Sequence, residues 1–122
     1  MKKIYFLGSC STNKKILKNL NLDEIELHDI KNTPISLSEI EEMAAMSGSY
    51  ESLFSRKAVK YRSMGLSALK LKEKDFKYHI LKEYTFLKRP VAIIENEIFI
   101  GNSKKTIEKL KIKLDEFQNS IR

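Results

Sequence analysis

Residues 4–7, Ile-Tyr-Phe-Leu, form a continuous apolar run that stops at Gly8, and a helical pattern begins just behind it at Ser11. An apolar run of that length without alternation is the pattern of a strand buried on both faces. In the helical stretch Ile16, Leu17 and Leu20 fall on one side, Lys14, Lys15 and Lys18 fall elsewhere, and Asn19 and Asn21 close it. Residues 25–30, Ile-Glu-Leu-His-Asp-Ile, alternate and predict a second strand. Strand, helix and strand at this spacing make a right-handed βαβ unit with parallel strands. A chain that starts this way is α/β.

The middle of the chain is helical in pattern. Ser36 and Glu39 are spaced as a capping box, with Ile35 and Ile40 placed as a hydrophobic staple. That helix is expected to run to about Met46 and stop near Gly48, where glycine tolerates the left-handed turn. Residues 49–65 predict further short helix ended by Gly65. Residues 73–87 predict another helix with Phe76, Ile80 and Leu81 inward, broken by Pro90. Residues 91–100 then read as a hairpin, with strands at 91–94 and 97–100 and a tight turn at Glu95-Asn96. Ser103 starts a last helix whose Ile107, Leu110, Leu114 and Phe117 recur at helical spacing. The order is β-α-β, a helical block, then β-β-α. It predicts a four-stranded mixed sheet in one domain over 1–122, with the helical insertion at about 36–84.

At 122 residues and 42% hydrophobic, the chain is long enough to bury a core. Its apolar runs are too short to span a bilayer, so no membrane partner is expected. The basic start at residues 1–4 is followed by neither a long apolar stretch nor a small-residue cleavage site. One cysteine permits no internal disulfide and no thiolate zinc cage, and no His, Cys and carboxylate spacing suggests a metal. These features read as cytoplasmic. The net charge of +7 allows anionic partners, but acidic residues are interspersed and no base-stacking motif is evident. Direct nucleic-acid binding is therefore not expected. The basic set is lopsided, with 19 lysines against four arginines: Arg56, Arg62, Arg89 and Arg122. A chain this inclined to lysine keeps arginine where a planar fork is needed.

The single cysteine, Cys10, falls between the first strand and the first helix. Free backbone N–H groups and the helix dipole favour negative charge there. A thiol in that seat is stabilised as thiolate, the reactive form. Ser11 and Thr12 add hydroxyl donors and Lys14 adds a positive charge one turn on, a nest for a thiolate or for an oxyanion under attack. The competing reading is a small buried residue ending a strand. Its position ahead of the helix favours the reactive one.

Cys-Ser-Thr-x-Lys at 10–14, Leu-Phe-Ser-Arg-Lys-Ala-Val-Lys-Tyr-Arg-Ser-Met-Gly-Leu at 53–66 and Phe-Leu-Lys-Arg-Pro at 86–90, ahead of the hairpin, resemble the glutaredoxin-linked arsenate reductases. The Spx-type transcription regulators share that pattern. The resemblance covers nearly the whole chain in order and implies a thioredoxin-like fold. It implies Cys10 as the nucleophile attacking an oxyanion or disulfide, and Arg56 and Arg89 as oxyanion-binding forks beside Ser11, Thr12 and Lys14. Pro90 is implied as a groove-shaping cis-proline opposite Cys10. No bound cofactor is implied; glutathione is the external thiol, and glutaredoxin is the partner that completes the cycle.

Two positions depart from the pattern. The reductases carry a third arginine just after the last strand, where this chain has Gly101, closer to the Spx branch; Lys104 and Lys105 follow it. Spx regulators usually carry Cys-x-x-Cys, and here the second position is Asn13. The leading expectation is a thiol-dependent oxidoreductase of the arsenate-reductase type. The alternative is an Spx-like regulator docking on the RNA polymerase α subunit without catalysis. His79, on a predicted helix, is placed to pair with Glu83, and His28 reads as a satisfied core or edge residue. Glu41-Glu42 and Glu95/Glu97 read as solvated faces and a turn.

Overall fold

The computed structural model describes residues 1–121; the fourth arginine, Arg122, lies outside the described residues. Strand β1 (Lys2–Phe6) buries Ile4 on one face of a sheet and Tyr5 on the other, as expected of a central strand. Helix α1 (Ser11–Lys18) and strand β2 (Glu26–Asp29) follow, then α2 (Leu37–Ser47), α3 (Val59–Ser63) and α4 (Glu73–Lys82). The chain returns through β3 (Val91–Ile94) and β4 (Glu97–Ile100) to α5 (Lys104–Ser120). The sheet order is β2-β1-β3-β4, with β1 parallel to β2 and antiparallel to β3, and β3 antiparallel to β4. The described residues thus form a mixed four-stranded sheet with five α-helices.

The chain divides into two compact units. The first joins Met1–Thr33 to the chain from Arg89 onward, and the second is Pro34–Lys88. In the first, α1 and α5 cover one face of the sheet. Ile4, Ala92, Ile94 and Phe99 meet Leu110 and Leu114, with Leu17, Leu20 and Ile107 at the margin. The fully buried leucines each contribute about 1.5–3 kcal/mol by leaving water. Lys113 of α5 lies between Glu95 and Glu97 at 3.6 and 3.3 Å, and both carboxylates stay exposed at the hairpin turn. Gln118, buried on the same helix, donates to the carbonyls of Asn21 and Asp23 and ties α5 to the loop before β2.

In the second unit Ser36 and Glu39 form the capping box, and α2 ends on Gly48 at φ 99°. Phe54 stacks on Phe86 at 5.1 Å and touches Phe76 and Tyr61, an aromatic cluster closed by the Phe54–Leu87 bridge. The helix predicted to continue towards Pro90 ends instead at Lys82. Glu83 turns its carboxylate onto the Thr85 N–H and caps a short 3-10 turn, Tyr84–Phe86, while pairing with Lys60. His79 therefore lacks the partner its spacing suggested, and its ring meets Phe86 edge-on at 5.7 Å. Leu81 is half-buried while Phe76 and Ile80 form the inward face.

Candidate active site at the strand–helix junction

β1 ends at Phe6, and its last turns of chain are fixed by two bonds to one residue. The Cys10 N–H donates to the Leu7 carbonyl at 3.0 Å, and the Leu7 N–H donates to Asn13 Oδ1 at 2.9 Å. Cys10 itself is the N-cap of α1 in extended conformation, and its carbonyl accepts from the Lys14 N–H. Its thiol is free and half-buried, and it makes no capping hydrogen bond. The first-turn N–H groups of Ser11 and Thr12 thus follow the sulfur with no side-chain cap upon them. Ser11, Thr12 and Lys14 are exposed around that end of the helix.

The same end of the sheet carries the other predicted residues of this unit. Tyr5 pairs with Val91, so the chain leading out of β1 runs alongside the chain leading into β3. Arg89, half-buried, and Pro90, buried, stand at that entry, and the Arg89–Pro90 peptide bond is cis. The Gly101 N–H donates to the Pro90 carbonyl at 2.9 Å, bringing the exit of β4 to the same end. Gly101 takes φ 89°; the space around a Cβ there is open, but the backbone is one that a side chain strains. Gly101, where the resemblance would put an arginine, thus stands in a turn that suits glycine. Lys104 and Lys105 follow in the first turn of α5, both exposed.

Two residues of this junction were not recognised from the sequence. Asn13 was read only as a missing cysteine, yet it is fully buried and holds the Leu7 N–H; its Nδ2 has no hydrogen-bond partner. Asp29, at the end of β2, approaches Gly8 so closely that a Cβ there would lie 2.3 Å from its carboxylate. Asp29 also accepts from the Lys31 N–H at 3.0 Å, a local turn that the Asp-Ile-Lys-Asn run could have signalled. His28 is a satisfied core residue, its Nε2 2.7 Å from the Thr33 carbonyl oxygen and its ring against Tyr5.

Arg56 belongs to the second unit. Its guanidinium binds Glu51 at 2.8 Å and lies over the Phe76 ring. The hydrogen bond to Glu51 raises its pKa above the ordinary value, with burial opposing and Tyr61 assisting. Among the described residues no group of three or more His, Cys, Asp or Glu could hold a metal ion. No helix among them is long and apolar enough to cross a membrane.

A mixed sheet in this order, with a thiol opening the first helix and a cis-proline leading into the antiparallel hairpin, defines a thioredoxin-like α/β protein. The ArsC family model matches residues 5–110, and the chain belongs to the ArsC family. Among solved structures it is similar to the YffB protein, at 21% identity and a TM-score of 0.76, covering 93% of this chain and 99% of that one. The arsenate reductase from Vibrio cholerae is 17% identical with a TM-score of 0.69, covering 93% and 96%. An arsenate reductase-related protein from Brucella melitensis is 20% identical with a TM-score of 0.66, covering 88% and 92%. At these identities the likeness is one of fold. No curated protein matches the sequence.

Proposed function

We propose that this chain is a thiol-dependent reductase of the arsenate-reductase type with Cys10 as its nucleophile. The observation that carries the reading is the half-buried free thiol at the N-cap of α1, on the sheet end where Arg89 and cis-Pro90 enter β3. Attack by a thiolate on a tetrahedral oxyanion needs fixed positive donors around both. The first turn of α1, the hydroxyls of Ser11 and Thr12, and Lys14 supply part of that field, and Arg89 supplies a guanidinium fork. Pro90 shapes the groove beside them. Arg56 enters on the resemblance of residues 53–66, as a second fork.

Reducing an oxyanion by two electrons makes one disulfide bond. With one cysteine in the chain, the second sulfur comes from an outside thiol, for which glutathione is the cytoplasmic choice and glutaredoxin the recycling partner. The test is arsenate-dependent NADPH oxidation with glutathione, glutaredoxin and glutathione reductase. Turnover lost in Cys10→Ser supports the reading, and absence of turnover in the unmodified protein removes it.

A second reading is favoured by Gly101. Its left-handed turn stands where the reductases carry their third arginine, which suits an Spx-like regulator that binds the RNA polymerase α subunit. A pull-down on that subunit, run beside the assay, separates the two. Capture without turnover would reverse the order.

A further inference from the structure

Residues 52–72 hold six lysines and arginines and no acidic residue, the longest stretch of uncompensated charge in the second unit. Two of these cations are held in place. Arg56 is paired with Glu51, and Lys60 with Glu83. The side chains of Lys57 and Arg62 have no ion pair or hydrogen bond among the described residues. Both line an open pocket of about 790 Å³ with Arg56, Ala58, Val59 and Ser63. Helix α3 buries none of its own residues. Val59 is 84% exposed, so aliphatic surface lies in the pocket among the cations.

We propose that this face of the second unit is a docking surface for an acidic segment of a protein partner, one that carries aliphatic side chains among its carboxylates. Charge complementarity selects the sign: cations without counter-ions attract an acidic chain and orient its approach. The exposed Val59, in the same pocket as Lys57 and Arg62, selects a protein segment, because apolar surface rimmed by charge marks a protein contact. Single-stranded nucleic acid binds by stacking bases on aromatic platforms. The aromatic residue of α3, Tyr61, instead meets Phe54 edge-on at 5.9 Å and is half-buried. The inference stands apart from the chemistry at Cys10.

The experiment is fluorescence anisotropy with a labelled peptide of glutamates and aspartates interrupted by leucines. Its companions are the same peptide with serines for leucines and an oligothymidylate of equal charge. The leucine peptide is expected to bind most tightly and to weaken as salt rises. The double variant Lys57→Glu with Arg62→Glu is expected to lose roughly tenfold in affinity, a typical effect of reversing charges at a contact rim. Val59→Asp should lose a similar amount, and Lys57→Gln with Arg62→Gln less, in the same direction. The thermal transition and the rate of Cys10 alkylation should not move in any of them. Absence of peptide binding overturns the proposal, as does binding that ignores these substitutions. Equal binding of the serine peptide, or tighter binding of the oligothymidylate at the same residues, overturns it too.

Discussion

Asn13 holds the Leu7 N–H in a site with no water access, so its amide is part of what keeps Cys10 at the head of α1. Replacing it with alanine leaves a buried donor unsatisfied, which costs about 1–3 kcal/mol. Urea unfolding of Asn13→Ala should show that loss, and Asn13→Asp, which keeps the acceptor, should recover part of it. Arg89 invites the opposite expectation. Lysine in its place keeps the charge and loses the fork, so Arg89→Lys should weaken sulfate or arsenate binding while leaving the thermal transition nearly unmoved. Calorimetric titration beside a melt would separate the two effects. The placement of Cys10 at the head of α1 was legible in the sequence because a strand end and a helix start bracket it. Asn13 was not, since nothing local tells that its side chain turns inward to a backbone N–H six residues earlier.

The elements were legible wherever their signals are local. Ser36 with Glu39, Gly48, Gly65 and the period of Leu110, Leu114 and Phe117 all fixed their elements as read. The end of α4 was not, because Glu83 leaves the helix to cap the Thr85 N–H and to meet Lys60, 23 residues away in sequence. The ammonium of Lys60 holds the Glu83 carboxyl below its ordinary value of 4.5, with burial opposing and Thr85 adding hydrogen bonds. A carboxyl so lowered contributes its stabilisation in full above that ordinary value and loses it as pH falls through its folded value. Glu83→Gln keeps an oxygen to cap the Thr85 N–H but loses the charge that meets Lys60, so it should cost up to about 1 kcal/mol at neutral pH, as for a surface pair. Towards ~pH 3 its stability should approach that of the unmodified chain. Denaturant midpoints at the two pH values would check this, and a difference independent of pH would assign the loss to packing.

For the molecule as a whole, the mixed four-stranded sheet was legible from the βαβ start and the hairpin, and the family from the motifs at 10–14, 53–66 and 86–90. The partners of the second unit's cations were not, because they depend on contacts distant in sequence. Having one cysteine is also a property of the whole chain. No internal thiol can resolve an oxidised Cys10, so oxidised glutathione should leave one mixed-disulfide adduct per chain, reversed by glutaredoxin and absent from Cys10→Ser. Intact mass would show it, and a spectrum dominated by linked dimers would assign Cys10 to pairing between copies.

The pairing of β1 with β3 also has a consequence in time. Lys2 to Tyr5 align with Ile94 to Val91, and all of Pro34–Lys88 is synthesised between them. At the pace of translation that interval is on the order of ten seconds. Through it β1 has β2 on one side and an open row of hydrogen-bonding groups on the other. The residues that lead into β3 alongside the exit of β1, Arg89 and Pro90, do not yet exist. On the ribosome the thiol is made before the chain that enters β3, so a nascent chain presents it to solvent before the sheet beside it is complete.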